Sequence, residues 1–379
     1  MRFATEIQKH RKIRASVFLW QYYFCLMFAE FLIIGQGLSG TWLSYYLQKE
    51  KRSFLVIDNN KSVTASRVAA GIINPVTGRR IVKTWMIDEL IPFVQKAYSE
   101  LGNDLGISAI TEKKIVDFFP TPQMRLAFLE RIKEDKTYIQ EEEDTGILRN
   151  HFNYELGYGI ISPAFITHIE NMLPAWRGQL LQDNLLIEEE FELSQLIIET
   201  GKIRYKEIVA DKIIFCDGIA SISNPYFKQL PFAFNKGEIL VIEAKDLPAT
   251  HIYKKGLILS PLPNDNLFWV GTNYLWKYKD ELPTKEFREQ TGHLLKNWLK
   301  VPFKIIDHKA AIRPANIERR PFVGMHPVHM NVGILNGMGS KGCSLAPYFA
   351  KQLTDHLLHK KELMPEADIK RFGKILSGK

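Results

Sequence analysis

The run Gly35-Gln36-Gly37-Leu38-Ser39-Gly40 places three glycines at GxGxxG spacing, directly after the apolar stretch Phe31-Leu32-Ile33-Ile34. Four apolar residues in a row suit a buried parallel strand. The residues after Gly40 repeat apolar side chains at helical spacing (Leu43, Tyr46, Leu47). A glycine turn between such a strand and helix can cradle a dinucleotide pyrophosphate. Gly35 permits the tight turn, Gly37 lets phosphate approach the backbone, and Gly40 lets helix and strand pack closely. Leu38 and Ser39 then open a helix whose N–H groups favour negative charge. A second strand, Ser53 to Ile57, ends at Asp58, close to the spacing of about 20 residues expected of a carboxylate that grips the adenosine ribose hydroxyls. Asp58 disfavours a ribose with a 2′-phosphate, since two negative charges would meet there. On this motif alone FAD and NAD both remain open.

Later segments carry further candidate chemistry. Ser66-Arg67-Val-Ala-Ala70-Gly71 is rich in small residues that let a backbone run close to a flat or charged ligand. A buried strand over 210–216 leads to Asp217-Gly218. Near the C-terminus, Asn331 to Asn336 reads as a strand, Gly337-Met338-Gly339-Ser340-Lys341-Gly342 as a glycine-dense loop, and the residues beyond as a helix, which together make a second cradle. Arg313, in Ala311-Ile312-Arg313-Pro314, has the planar fork that binds a carboxylate through two parallel hydrogen bonds.

These elements need a scaffold, and 379 residues suffice for two domains. A strand-rich stretch opens at Lys236-Gly237-Glu238 and continues through 256–260 and 267–271. Residues 286–299 read as one amphipathic helix. Three dispersed cysteines with no CxxC pair argue against a disulfide framework, a zinc site or a redox dithiol, and fit a reducing cytoplasm. His326-Pro-Val-His329 has no third ligand nearby and reads as a turn, so no metal is expected. The net charge of +8 is dispersed apart from a basic start, a weak basis for a nucleic-acid partner. Residues 15–29 form an uncharged, aromatic-rich run too short for a comfortable bilayer span. Residues 1–29 are expected to be an extension outside the fold, with Met27 an alternative start.

The fingerprint, the small-residue segment, the 210–221 strand and the glycine-dense loop, in this order, resemble the D-amino-acid oxidase superfamily of FAD-dependent oxidoreductases. Its members include glycine oxidase, sarcosine oxidase and the FAD domain of the tRNA wobble-uridine modifying enzyme. The resemblance implies an α/β fold with a discontinuous Rossmann-like FAD-binding domain, over 30–105, 155–230 and 305–379. It also implies a β-sheet-rich α+β substrate domain, over 106–154 and 231–304. It assigns FAD binding to Gly35, Gly37, Leu38, Ser39, Gly40, Asp58, Ser66, Arg67, Ala70, Gly71, Gly218, Gly337, Met338, Gly339, Ser340 and Gly342. Arg313 takes the substrate carboxylate, and Lys341 stands where relatives carry arginine. Glu318 could replace an acid of the family's Arg-Pro stretch, and Lys236 or Lys341 could aid reoxidation. With no cysteine near Arg313, the FAD is expected to be non-covalent. The implied activity is oxidation of the C–N bond of a small amine or amino acid by hydride transfer to flavin N5, with O2 or a quinone as acceptor. The alternatives are FAD-dependent tRNA wobble-uridine demodification and a quinone-linked amino acid dehydrogenase.

Overall fold

The computed structural model describes residues 26–78, 80–143, 145–263, 266–271 and 273–378. The elements that build the site are, in chain order, strand β1 (Met27–Ile34), helix α1 (Leu38–Lys49), β2 (Phe54–Ile57), α2 (Ala65–Val68), β3 (Ile72–Ile73) and α3 (Ile87–Leu105). Next come β4 (Ile110–Phe118), β5 (Tyr158–Thr167), α4 (Ile169–Gln182), β6 (Leu186–Ile187), β7 (Leu196–Glu199), β8 (Lys202–Tyr205) and β9 (Ile208–Phe215). The chain continues with β10 (Asn235–Glu243), β11 (Ile252–Lys255), β12 (Leu257–Pro261), β13 (Leu267–Gly271), α5 (Lys285–Trp298), β14 (Lys304–Arg313), β15 (Phe322–Met325), β16 (Val332–Asn336) and α6 (Gly342–His359).

An eight-stranded sheet runs β7-β8-β9-β1-β2-β6, with β16 beside the end of β9 and β15 beside β16. Strands β16, β9, β1, β2 and β6 pair in parallel, and this core lies between two apolar layers. The second half of β1 is buried on both faces, which is why it reads as an unbroken apolar run. Alternate residues feed opposite layers: Phe31 and Ile33 pack with α1, α3, α4 and α6, while Leu32 and Ile34 pack with Phe215, Phe227 and Phe372. Trp42 of α1 meets Tyr98 of α3 edge-on at 4.9 Å, so aromatic contacts clamp these two helices.

The other sheet has nine strands in the order β14-β10-β13-β12-β11-β4-β5-β3, with Ile139–Gln140 also on β5. Its strands follow period-two patterning. Leu240 and Ile242 of β10 pack towards α5 with Phe287 and Leu295, while Ile239 joins Trp269 and Ala311 on the opposite face, beside Val68 of α2. That second face looks onto the ligand cavity.

Two boundaries differ from the sequence expectation. Strand β1 begins at Met27, because Met27, Phe28 and Ala29 find partners in Ile208, Val209 and Ala210 of β9. Residues 27–29, expected in the extension, are thus part of β1, and residues 1–25 of that expected extension lie outside the described residues. Strands β5 and β14, within the ranges 155–230 and 305–379, belong to the second sheet, paired antiparallel with β4 and β10. Periodicity gives a strand's faces, not its partners, so those ranges could not be divided from sequence. No helix among the described residues is long and apolar enough to cross a membrane.

Candidate active site

A cavity of about 710 Å³ runs from the β1–α1 turn to the end of β14. Gly35, Gln36, Gly37, Leu38 and Ser39 line one end. At Gly35 (φ +96°) a Cβ would sit 2.7 Å from the Cys216 carbonyl oxygen, and at Gly40 it would sit 1.8 Å from the Gly35 oxygen. Gly40 does not line the cavity; its lack of a side chain lets α1 close onto the turn. The helix has no side-chain cap and no acid in its first turn, so its positive end remains suited to an anion. Ser66 Oγ accepts the Leu38 N–H at 3.1 Å, tying the small-residue segment to that helix start.

Asp58 ends β2 on the cavity wall. Its Oδ2 accepts the Gln36 N–H at 2.8 Å, and its Oδ1 accepts the Asn60 N–H at 2.9 Å and Arg177 Nη1 at 2.7 Å. Arg177, on α4 and only 5% exposed, also reaches Glu188 at 2.7 Å. No local motif marks an inward-facing arginine so far along the chain, so sequence reasoning missed it. The effect is to fix the Asp58 carboxylate before any ligand arrives.

Ser66, Arg67, Ala70, Gly71 and Gly218 also line the cavity. Gly71 (φ +71°) could not carry a Cβ, which would meet the Thr167 carbonyl oxygen at 2.0 Å. Arg67 turns away to Asn60 Oδ1 at 2.7 Å. Trp269 Nε1 donates to the Val68 carbonyl at 2.8 Å, joining the second sheet to this segment. Asp217 also lines the cavity, and burial pushes its carboxyl up to about 6, although Ser221 and Asn336 donate to it. Cys216 and Cys343 line the wall as well, and burial raises both thiols, Cys343 to about 11. Because the thiolate is the nucleophile, neither is set up to attack a ligand.

At the far end Met338, Gly339, Ser340, Lys341 and Gly342 line the cavity, while Gly337 stands behind them (φ +76°) with its carbonyl accepting from Asn316 Nδ2 at 2.9 Å. Arg313 Nη1 donates to Asn235 Oδ1 at 2.7 Å and to the Asn273 carbonyl at 3.2 Å, and the guanidinium lies 4.6 Å from the centre of the Tyr274 ring. A Cβ at Gly237 would fall 1.8 Å from Arg313 Nη2, so that glycine makes the arginine's berth. Asn235, Gly237 and Tyr274 were missed; the one available signal was a glycine interrupting a strand. Burial holds the Arg313 guanidinium below its ordinary value, with Tyr274 opposing.

Two expectations at this end are corrected. Lys236 does not reach the cavity. It is 2% exposed, donates to the Leu282 carbonyl and lies 4.0 Å from Glu238, on the α5 side of the sheet. It alternates with Gly237, so only one of the two can face the ligand. Glu318 points away as well, onto Arg371 at 3.0 Å.

The geometry fits a dinucleotide joined to a flat ring system. Glycines stand where a Cβ would collide, a fixed carboxylate follows the second strand, an uncapped helix start opens on the cavity, and the rest of the wall is largely apolar. The chain matches the FAD dependent oxidoreductase (DAO) family over residues 30–356. It belongs to that family, whose cofactor is FAD. Among solved structures it is similar to glycine oxidase from Geobacillus kaustophilus, at 16% identity and a TM-score of 0.74, covering 91% of this chain and 98% of that one. It is also similar to iminodiacetate oxidase from a Chelativorans species, at 16% identity and a TM-score of 0.69 over 90% and 98%. L-proline dehydrogenase from P. horikoshii matches at 14% identity and a TM-score of 0.71, over 91% and 98%. At such identities the likeness is one of fold.

Proposed function

We propose that this FAD-dependent oxidoreductase removes a hydride from the carbon beside the nitrogen of a small amino acid, leaving an imine that water hydrolyses. When bound, the flavin supplies the hydride acceptor, N5. The carrying observation is Arg313, placed on the wall of the same cavity as the glycine loops and braced by Asn235 and Tyr274. A guanidinium held in one orientation fixes a carboxylate through two bonds and so fixes the α-carbon. Lys341 lies on the same wall, and burial, then Arg320 and Arg319, lower its pKa. Its charge favours the neutral amine, the form able to release hydride.

In this reading the parallel-sheet segments of 30–105, 155–230 and 305–379 hold FAD, and the second sheet with 106–154 and 231–304 presents the substrate. The FAD is held non-covalently, because the cavity's two thiols are buried and protonated. The protein works in the cytoplasm, with O2 or a quinone as acceptor. Anaerobic addition of glycine, sarcosine, proline and D-amino acids to the yellow protein should bleach the flavin with one of them, and rapid recolouring in air would mark an oxidase. Yellow protein bleached by no amine would overturn the reading and turn attention to a large substrate such as tRNA.

A further inference from the structure

We infer that the substrate carries a second anionic group, received by Lys341 on the cavity wall with the positive charge of Arg320 behind it, while Arg313 holds the first carboxylate. This rests on the amino-acid reading above and narrows it to amino acids bearing an additional carboxylate on the side chain or on the nitrogen.

The argument is one of unbalanced charge in a built setting. The acids lining the cavity are engaged elsewhere: Asp58 with Arg177 at 2.7 Å, Glu189 with Lys206 at 3.0 Å, Glu281 with Lys61 at 3.1 Å and Glu190 with Asn59 at 3.5 Å. Asp217 takes the hydrogen bonds of Ser221 and Asn336. The cation Lys254 is matched by buried Asp117 at 2.7 Å. Lys341 is different. Its ammonium makes no ion pair or hydrogen bond with the described residues, and its charged neighbours are Arg320 and Arg319.

That cluster is held in place. Asn316, 4% exposed, accepts the Arg320 N–H at 3.1 Å and donates to the Arg320 and Gly337 carbonyls at 2.6 and 2.9 Å. The arginine turn is thereby stitched to the loop that carries Lys341. The Gly339 N–H donates to the Pro314 carbonyl at 3.2 Å, which sets the same loop beside Arg313. Arg320 lies 4.1 Å from the centre of the Trp85 ring, so its guanidinium has a fixed seat. From Arg313 to Arg320 the chain has one acid, Glu318, and Arg371 draws it off. Cations grouped without a carboxylate repel one another until an anion joins them, and a substrate bringing two carboxylates supplies one for each end.

The test uses the yellow holoenzyme and unreactive ligands, read as perturbation of the flavin spectrum. Malonate, succinate and glutarate are compared with acetate, propionate and butyrate. The best dicarboxylate should bind at least about tenfold more tightly than its monocarboxylate partner, the worth of one hydrogen bond to a charged group. Arg320→Gln and Lys341→Met should each shrink that ratio towards one, while Arg320→Lys, which keeps the charge, should preserve part of it. Equal affinities in the wild-type protein would overturn the inference. So would variants that shift the flavin potential and leave the ratio intact, since the cations would then serve the cofactor. In parallel, aspartate, glutamate and iminodiacetate are compared with glycine as anaerobic reductants. If no amine bleaches the flavin and dicarboxylates still bind preferentially, the amino-acid reading fails and the second anion site stands. If glycine bleaches it and no dicarboxylate preference appears, the reading stands and this inference fails.

Discussion

The two ends of the cavity are built on different principles. At the dinucleotide end, backbone meets backbone: Gly35, Gly40 and Gly71 sit where any Cβ would come within 2.7 Å or less of a carbonyl oxygen. At the other end, where we propose that the substrate binds, side chains from separate strands meet: Arg313 from β14, Asn235 from β10, Tyr274 after β13 and Lys341 from the loop before α6. The first construction tolerates no change and suits any ligand carrying a pyrophosphate. The second can be altered residue by residue, and under the proposed function it is where a substrate would be chosen.

The contrast predicts opposite signatures. The largest effect is expected from Gly40→Ala, whose new Cβ must displace the Gly35 carbonyl from 1.8 Å. The cost is about 1–3 kcal/mol or more, with FAD lost and the melting temperature lowered together. A yellow Gly40→Ala protein of normal stability would break the comparison. Arg313→Met, by contrast, should keep its FAD and its melting temperature while kcat/KM falls by about 100-fold, the worth of two hydrogen bonds to a charged group. A colourless Arg313→Met protein would show that the two ends are not separable.

A subtler pH effect is expected between them. Asp217 has its folded value raised to about 6 from an ordinary 3.8, so the cost of its charge grows from about pH 4 and is complete above about pH 6. Asp217→Asn should therefore raise the melting temperature by a margin that increases over that window and is flat beyond it, with FAD retention at neutral pH improving in step. A margin that is the same at pH 4 and pH 7 would place the charge elsewhere. The smallest change asked of the protein is none at all: acid precipitation should release all of the FAD into the supernatant. A yellow pellet would mean that Cys216 or Cys343 is bonded to the flavin despite its burial.

The dinucleotide end was legible because its constraints are local. An apolar run, three spaced glycines and an acid closing the next strand specify a structure that needs no distant partner, and β1, α1 and β2 lie close to where the pattern puts them. The substrate end was legible only as far as resemblance reached, to Arg313 and Lys341. Asn235 and Tyr274 are recognisable only once β14, β10 and β13 are known to be neighbours, and nothing in an alternating strand names the strand beside it. The same ignorance of partners left β5 and β14, which pair with β4 and β10, inside ranges assigned to the FAD-binding domain. Lys236 shows the limit most simply, since a one-residue step along β10 turns it to the opposite face from Gly237.

The chain leaves the parallel sheet twice, entering the second sheet from β3 to β5 and again from β10 to β14, and returns each time to the parallel core. Neither sheet is a continuous piece of sequence, so neither can be excised and expressed as an independent half. The places where the thread passes between them include Gly71 against Thr167 and the step from Arg313 to Pro314, both on the cavity wall. An enzyme woven in this way is hard to build from swapped modules. A new specificity has to be made in place, by exchanging side chains around a seam that the fold itself keeps closed.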